Sequence, residues 1–313
     1  MAATPATAAP AAEAPATAAP PTNAEDAPAT PQDYADAEAK AKAEKERFTP
    51  EMREKAKALA DKKYASLQQG LDASLKSPHR KPGNPERDVY RHPVQTLEFI
   101  GITPKMTVLE YGPGDGWYTE LLAPLLAKSG KLIVTTPDPN GPAADRGTLA
   151  AKRLDLFLDK SPELFSKVER VVIDSKAPAL PMENKLDAIL LFRGLHGMER
   201  QGTVSAWLAA FHKALKPGGI LGVEQHRARA GEEPKASAEK GYLPEDWVIK
   251  QAEEAGFTLA GKSEVNANPK DTKDYPDGVW SLPPTLRGKD KDRDKYVAIG
   301  ESDRMTLKFV KKK

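Results

Sequence analysis

The sequence predicts an α/β fold, with a mostly parallel sheet covered by helices on both faces, and three observations support it. Short apolar runs alternate with helical periodicities from about residue 93 to residue 264, the pattern of strand–helix–strand units that wrap both faces of a parallel sheet. One of those runs, Met106 to Tyr111, passes directly into a turn with glycines at 112, 114 and 116 and then into a helical stretch. A closing pair of runs, Tyr296 to Gly300 and Arg304 to Val310, separated by Glu301-Ser302-Asp303, reads as an antiparallel hairpin.

Residues 1–32 are almost wholly Ala, Pro and Thr. Such a composition buries too little apolar surface to offset the entropy of ordering, so it is expected to form an extended linker. Residues 33–92 are expected to be helices and a loop packed on the core. Thr49-Pro50, an N-cap and first-turn pair, splits an Ala/Lys/Glu-rich stretch that ends near Lys76. After it, Met52, Ala56, Leu59, Ala60, Tyr64 and Leu67 fall near one helical face, which predicts packing on the following domain.

Residues 93–313 are expected to form that domain. Its strands are predicted at 107–111, 131–135, 168–174, 187–192, 220–224 and 258–264, and the hairpin completes the sheet. Helices are predicted to start at Pro93 and stop at Gly101, and to occupy 118–128, 146–160, 202–215 and 244–255. The stretch Asn266 to Arg287, rich in Asn, Asp and Pro, is too long for a plain connection; it reads as a lid or as an excursion bracing the hairpin.

Composition narrows the function classes. With 47 basic and 45 acidic residues the net charge is +2, which gives no field for drawing in nucleic acid. Cysteine is absent, which excludes disulfides and thiolate chemistry. No His/Asp/Glu grouping has metal-ligand spacing and no Gly-x-Ser-x-Gly occurs, so metallohydrolase and serine-hydrolase readings have no support. No apolar run approaches the roughly 20 residues of a membrane span, and the start lacks the pattern of a signal peptide. The chain as written is expected to be soluble and cytoplasmic, with export suspected from the Ala/Pro-rich start, because such linkers often tether exported domains.

The chemistry is expected at the glycine-rich turn. Gly112, Gly114 and Gly116 let the backbone approach a ligand closely and present N–H groups at a helix start, where a nucleoside cofactor can lie. The spacing is G-x-G-x-G with Glu110 two residues ahead, not the longer G-x-G-x-x-G of dinucleotide sites. Glu110-Tyr-Gly-Pro-Gly-Asp-Gly116 resembles motif I of the class I S-adenosylmethionine-dependent methyltransferases. Leu186 to Leu191 resembles that family's fourth strand, Leu215-Lys-Pro-Gly-Gly-Ile-Leu221 its turn into the fifth, and Glu254-Ala-Gly-Phe257 its turn into the sixth. The resemblance implies a Rossmann-like seven-stranded sheet, S-adenosyl-L-methionine as cofactor and methyl transfer to an acceptor, expected here to be a small molecule. More narrowly, Arg87 to Pro93, Gly116-Trp-Tyr-Thr119 and Asn268-Pro-Lys-Asp271 look like a group of bacterial predicted methyltransferases, many with export signals, whose acceptor is not implied.

Members of the family commonly end the second strand with an acidic residue that accepts hydrogen bonds from the ribose hydroxyls. Thr136 stands at that position. Asp138 takes the role if the turn bends inward, or else caps the following Pro-Asn-Gly-Pro loop. Asp174 is the candidate for the adenine-contacting acid after the third strand. Transfer from a sulfonium is an in-line displacement, so the protein must chiefly position the acceptor and remove its proton. His196 and His226 follow the fourth and fifth strands, at the sheet edge where α/β proteins bind ligands, and are the candidate bases or orienting groups; each can equally be hydrogen-bonded within its loop. Tyr90, Arg91, Trp117, Tyr118 and Arg193 are candidates for contact with the acceptor or donor, with core packing the alternative fate of the aromatics. Two other readings remain open: a donor-binding protein without turnover, suggested by Thr136, and a nucleotide-dependent oxidoreductase.

Overall fold

A computed structural model describes residues 27–312 of the chain. The expected linker over residues 1–32 therefore falls largely outside the described residues, and its last two residues, Pro31 and Gln32, open the helix Pro31–Arg47. Two further helices follow, Pro50–Asp61 and Leu67–Leu75. Thr49 caps the first of these as expected, its hydroxyl accepting from the Met52 amide at 3.3 Å. Ala56, Leu59 and Ala60 are buried against the main domain, as their spacing predicts; Tyr64, read on the same helix, is also buried but lies beyond the helix end at Asp61.

The sheet contains β1 (Thr107–Tyr111), β2 (Lys131–Thr136), β3 (Glu169–Val172), β4 (Leu186–Phe192), β5 (Leu215–His226), β6 (Phe257–Ser263) and β7 (Arg304–Lys311). Their order is β3-β2-β1-β4-β5-β7-β6, with β7 antiparallel to both neighbours and the other pairings parallel. Central strands are apolar along most of their length because both faces are covered. Val108, Ala188 and Leu190 pack on one side, against the helices Pro50–Asp61, Leu67–Leu75 and Thr119–Leu126. Leu109, Ile189 and Leu191 pack on the other, against Val204–Ala214 and Glu245–Glu254.

The expected C-terminal antiparallel pair is present, but it joins β6 to β7, and the first of the two runs assigned to it is not a strand. Tyr296 to Ile299 lie in the helix Arg293–Ile299, and β7 pairs instead between β5 and β6. A four-residue apolar run, Tyr-Val-Ala-Ile, fits either periodicity, and here burial of Tyr296 against Tyr275 and Leu282 favours the helix. The intervening Glu301, Ser302 and Asp303 are buried rather than exposed as a turn would be. Their polar groups are committed to the site described next.

From β1 the chain runs outward through β2 and β3, and from β4 it runs the other way. The carboxyl ends of β1 and β4 therefore flank a topological switch point, where open α/β sheets bind ligands.

Candidate functional site

The turn after β1 places two bare positions at that crevice. Gly112 (φ +59°) and Gly114 (φ +57°) are exposed, and a side-chain carbon built on either would meet no atom within 4 Å. Left-handed backbone with open space above it forms a cradle that a side chain would fill. Gly116 serves the fold instead: a Cβ there would strike the Phe157 ring at 2.3 Å, so its bareness lets the turn sit against the helix Arg146–Asp159. Glu110 lies beneath the turn, buried, accepting from Thr119 Oγ1 at 2.7 Å. Burial pushes its carboxyl up to about 7.

The register that pairs Glu110 with Val134 brings the end of β2 level with the turn, and Thr135 Oγ1 accepts from the Gly112 amide at 2.9 Å. Thr136 is buried, its hydroxyl donating to the Pro137 carbonyl. Asp138 is exposed, and one of its oxygens accepts from the Asn140 amide at 2.8 Å, the loop-capping bond anticipated as its alternative role. Asp174 does the same after β3, accepting from Lys176 N at 2.8 Å. In each, the second carboxylate oxygen is left for another donor.

Beyond β4 and β5 lies a cavity of about 290 Å³. It brings together His196, His226, Arg91 and Arg193 from the sequence candidates, and adds Trp280, Arg87 and Glu301. Trp280 stands in the short helical turn Gly278–Ser281 of the long loop read as a lid or brace; that loop supplies one wall of the cavity.

An ion network sets the charge of this cavity. Glu224, fully buried on β5, accepts from Arg193 Nη1 at 2.8 Å and from the Tyr118 hydroxyl at 3.1 Å, with Arg304 Nε at 3.4 Å. Glu301 accepts from Arg87 Nε at 2.6 Å, Arg304 Nη1 at 2.7 Å and Arg91 Nε at 3.1 Å. Burial raises both carboxyls, but the guanidiniums outweigh it: Glu224 stays below its ordinary range and Glu301 falls to about 2. Burial, reinforced by Arg193, Arg87 and Arg304, pushes Arg91 down to about 9 despite Glu301.

His226 Nδ1 meets Ser302 Oγ at 2.5 Å, and its ring stands 5.9 Å from that of His196, whose Nδ1 faces Gln225 Nε2 at 3.3 Å. Burial pushes His196 down to about 4 and His226 well below its ordinary value, so both imidazoles are neutral at neutral pH.

The aromatics after the glycines are packed rather than open. Trp117 is buried with Arg91 4.8 Å over its ring, and Tyr118 is buried against Phe192. Tyr90 does not line the cavity: its ring abuts Gly300 and its carbonyl accepts from Arg304 Nη2 at 2.5 Å.

Glu224, Glu301 and Arg304 escaped the sequence reading. A glutamate inside the apolar run Gly-Ile-Leu-Gly-Val-Glu is the signal that could have found the first, because an acid in a central strand must find a buried cation. Glu301 carried no such signal inside what reads as a polar turn.

On the far side of the turn, Glu120 ties the N-terminal segment down. It accepts from Lys160 Nζ at 2.9 Å, Asn84 Nδ2 at 2.8 Å and the Lys81 amide at 2.8 Å. His79, also buried, donates through Nε2 to the Glu120 carbonyl at 2.9 Å, and burial pushes it down to about 4. Its ordinary value is 6.5, so between pH 6.5 and about 4 the unfolded chain takes up a proton that the folded chain refuses. Stability is present above that window and is lost as pH falls through it, by roughly 3 kcal/mol from this one group. The urea midpoint is expected to drop between pH 7 and pH 4, and His79→Gln to flatten part of that slope; an unchanged slope contradicts the assignment.

A family model described as a methyltransferase domain matches residues 85–259, more than half of the chain. The chain belongs to that methyltransferase family, of the class I S-adenosylmethionine-dependent type, and its cofactor is S-adenosylmethionine. Solved structures that resemble it include an S-adenosylmethionine-dependent methyltransferase from Aquifex aeolicus, with 17% identity, 72% of this chain and 93% of that chain covered and a TM-score of 0.47. Another is the 1,6-didemethyltoxoflavin-N1-methyltransferase of Burkholderia thailandensis, with 15% identity, 73% and 80% covered and a TM-score of 0.43. A third is a putative sarcosine dimethylglycine methyltransferase from Galdieria sulphuraria, with 11% identity, 73% and 86% covered and a TM-score of 0.48. At such identities a similar fold says nothing about a shared acceptor. No curated protein matches the chain in sequence. Among the described residues no helix is long and apolar enough to cross a membrane, and no group of three or more metal-ligating side chains occurs.

Proposed function

We propose that the chain transfers a methyl group from S-adenosylmethionine to a small-molecule acceptor, with the donor on the glycine turn and the acceptor in the cavity beyond β4 and β5. The observation that carries this reading is a shared carboxylate: Tyr118, two residues after the last turn glycine, hydrogen-bonds Glu224, which also accepts from Arg193, a residue that lines the cavity. This hydrogen-bonded chain links the residues that follow the bare turn to the wall of the cavity.

When bound, the donor supplies a methyl carbon whose bond to sulfur breaks, the electron pair staying on sulfur, as the acceptor atom bonds to that carbon. Gly112 and Gly114 provide close backbone approach, and the free oxygen of Asp138 accepts a ribose hydroxyl. His226, with Nδ1 engaged by Ser302, and His196 are neutral and face the cavity, so either can take the proton that an alcohol or ammonium acceptor releases. Arg193, held by Glu224, orients the acceptor.

A screen of small acceptors for S-adenosylhomocysteine release tests the reading. Turnover is expected with at least one acceptor, and His226→Asn or His196→Asn is expected to lower kcat by about 100-fold, within the range of one general base. Because both rings are already neutral above pH 6, the pH profile of the parent is expected to show no inflection near 6.5. Full turnover in both variants removes the histidines from the role of base.

Thr136 favours a second reading, a donor-binding protein without turnover, because no carboxylate ends β2. Donor binding without product release from any acceptor, at any pH, is its expected outcome.

A further inference from the structure

The cavity beyond β4 and β5 carries more positive charge than its own carboxylates neutralise. Four guanidiniums, those of Arg87, Arg91, Arg193 and Arg304, share two carboxylates, Glu224 and Glu301. The two histidines facing the same space are neutral and add no charge. The neighbouring ions do not correct the imbalance, because Arg227 and Lys273 are already taken up by Asp303, with Glu245 and Glu264 also on Arg227. Arg91 and Arg304 are buried, so water screens this excess poorly.

Three of the four arginines line the cavity itself. Arg87 and Arg91 reach Glu301 through Nε, which leaves the paired terminal nitrogens of each fork for another acceptor. A planar fork of this kind matches a carboxylate or phosphate with two parallel hydrogen bonds. Val279, Trp280 and Pro283 add apolar surface to the same cavity. At about 290 Å³ the space is at the small end of ligand sites.

We propose that the methyl acceptor is a small amphipathic anion, its carboxylate or phosphate held by Arg87, Arg91 and Arg193 and its apolar body lying against Trp280. This assignment deepens the proposed function, on which it rests for the word acceptor; the anion site itself stands on the charge and shape of the cavity. The anion completes the network, replacing in part the water that the two unmatched charges would otherwise need.

Benzoate, phenyl phosphate and the neutral benzamide serve as probes, titrated by calorimetry and by the fluorescence of Trp280 against a Trp280→Phe control. Benzoate or phenyl phosphate is expected to bind at least tenfold tighter than benzamide, with affinity falling as salt rises, and whichever binds better identifies the head group. Arg87→Gln is the informative variant, because Glu301 keeps Arg91 and Arg304 and the fold is retained; it is expected to weaken the anion at least tenfold and leave benzamide unchanged. Equal binding of benzoate, phenyl phosphate and benzamide, or an anion affinity untouched by Arg87→Gln, overturns the proposal. A parallel titration with S-adenosylhomocysteine separates the two claims. If that ligand binds and the anions do not, the anion site falls and the donor reading stands; if the anions bind and it does not, the donor reading falls and the anion site stands.

Discussion

Gly114→Val is expected to weaken S-adenosylhomocysteine binding by at least ~100-fold, equivalent to about 2.7 kcal/mol, while the protein remains folded. Position 114 is exposed at φ +57° and nothing lies within 4 Å of a Cβ built there, so the new side chain meets no core. It occupies instead the space through which a ligand reaches the backbone, and its β-branch is strained in left-handed geometry by roughly 1–2 kcal/mol. Gly116→Ala makes the contrast. Its Cβ falls 2.3 Å from Phe157, so that change is expected to lower thermal stability first. Calorimetry on both variants, beside thermal melts, distinguishes a ligand cradle from a packing glycine. Unchanged affinity in Gly114→Val contradicts the assignment of the turn.

Glu224→Ala is expected to destabilise the fold by about 3–5 kcal/mol, the range for removing one partner of a buried ion pair. Its carboxylate meets Arg193, Arg304 and the Tyr118 hydroxyl in the middle of a covered sheet, and deletion leaves buried cations with Glu301 alone. Glu224→Gln keeps the shape and an acceptor oxygen, so a smaller loss is expected. Urea unfolding near pH 7 reads both. A loss below about 1 kcal/mol in Glu224→Ala contradicts the account of the network, since it would match an exposed pair.

How much of this was legible in the sequence follows from which forces act locally. The six parallel strands and the glycine turn were, because apolar runs bounded by turn residues report burial directly. Helix limits at Thr49-Pro50 and at Pro93 and Gly101 were legible for the same reason, since capping and proline geometry are local. The segment Tyr296 to Ile299 was not, because four apolar residues carry no period, and its contact with Tyr275 and Leu282 decides its form. The site was half legible. His196, His226 and Arg193 follow from their place at strand ends. The pairing of Arg87 with Glu301, 214 residues apart, is a product of the tertiary fold, and so is the excess of cations. Trp117 and Tyr118, expected to contact donor or acceptor, follow the turn but lie buried in the core, as supports for Arg91 and Glu224.

In the proposed function, the crevice above β1 and β4 holds the methyl donor on the bare backbone of Gly112 and Gly114. A crystal structure of the protein with S-adenosylhomocysteine tests it most directly. The account predicts the ligand's amino-acid end against those two glycines, a ribose hydroxyl on Asp138, and the sulfur turned toward the cavity of Arg193 and His226. Ligand bound elsewhere with the turn bare, or a turn closed by its own side chains in saturating ligand, would contradict it.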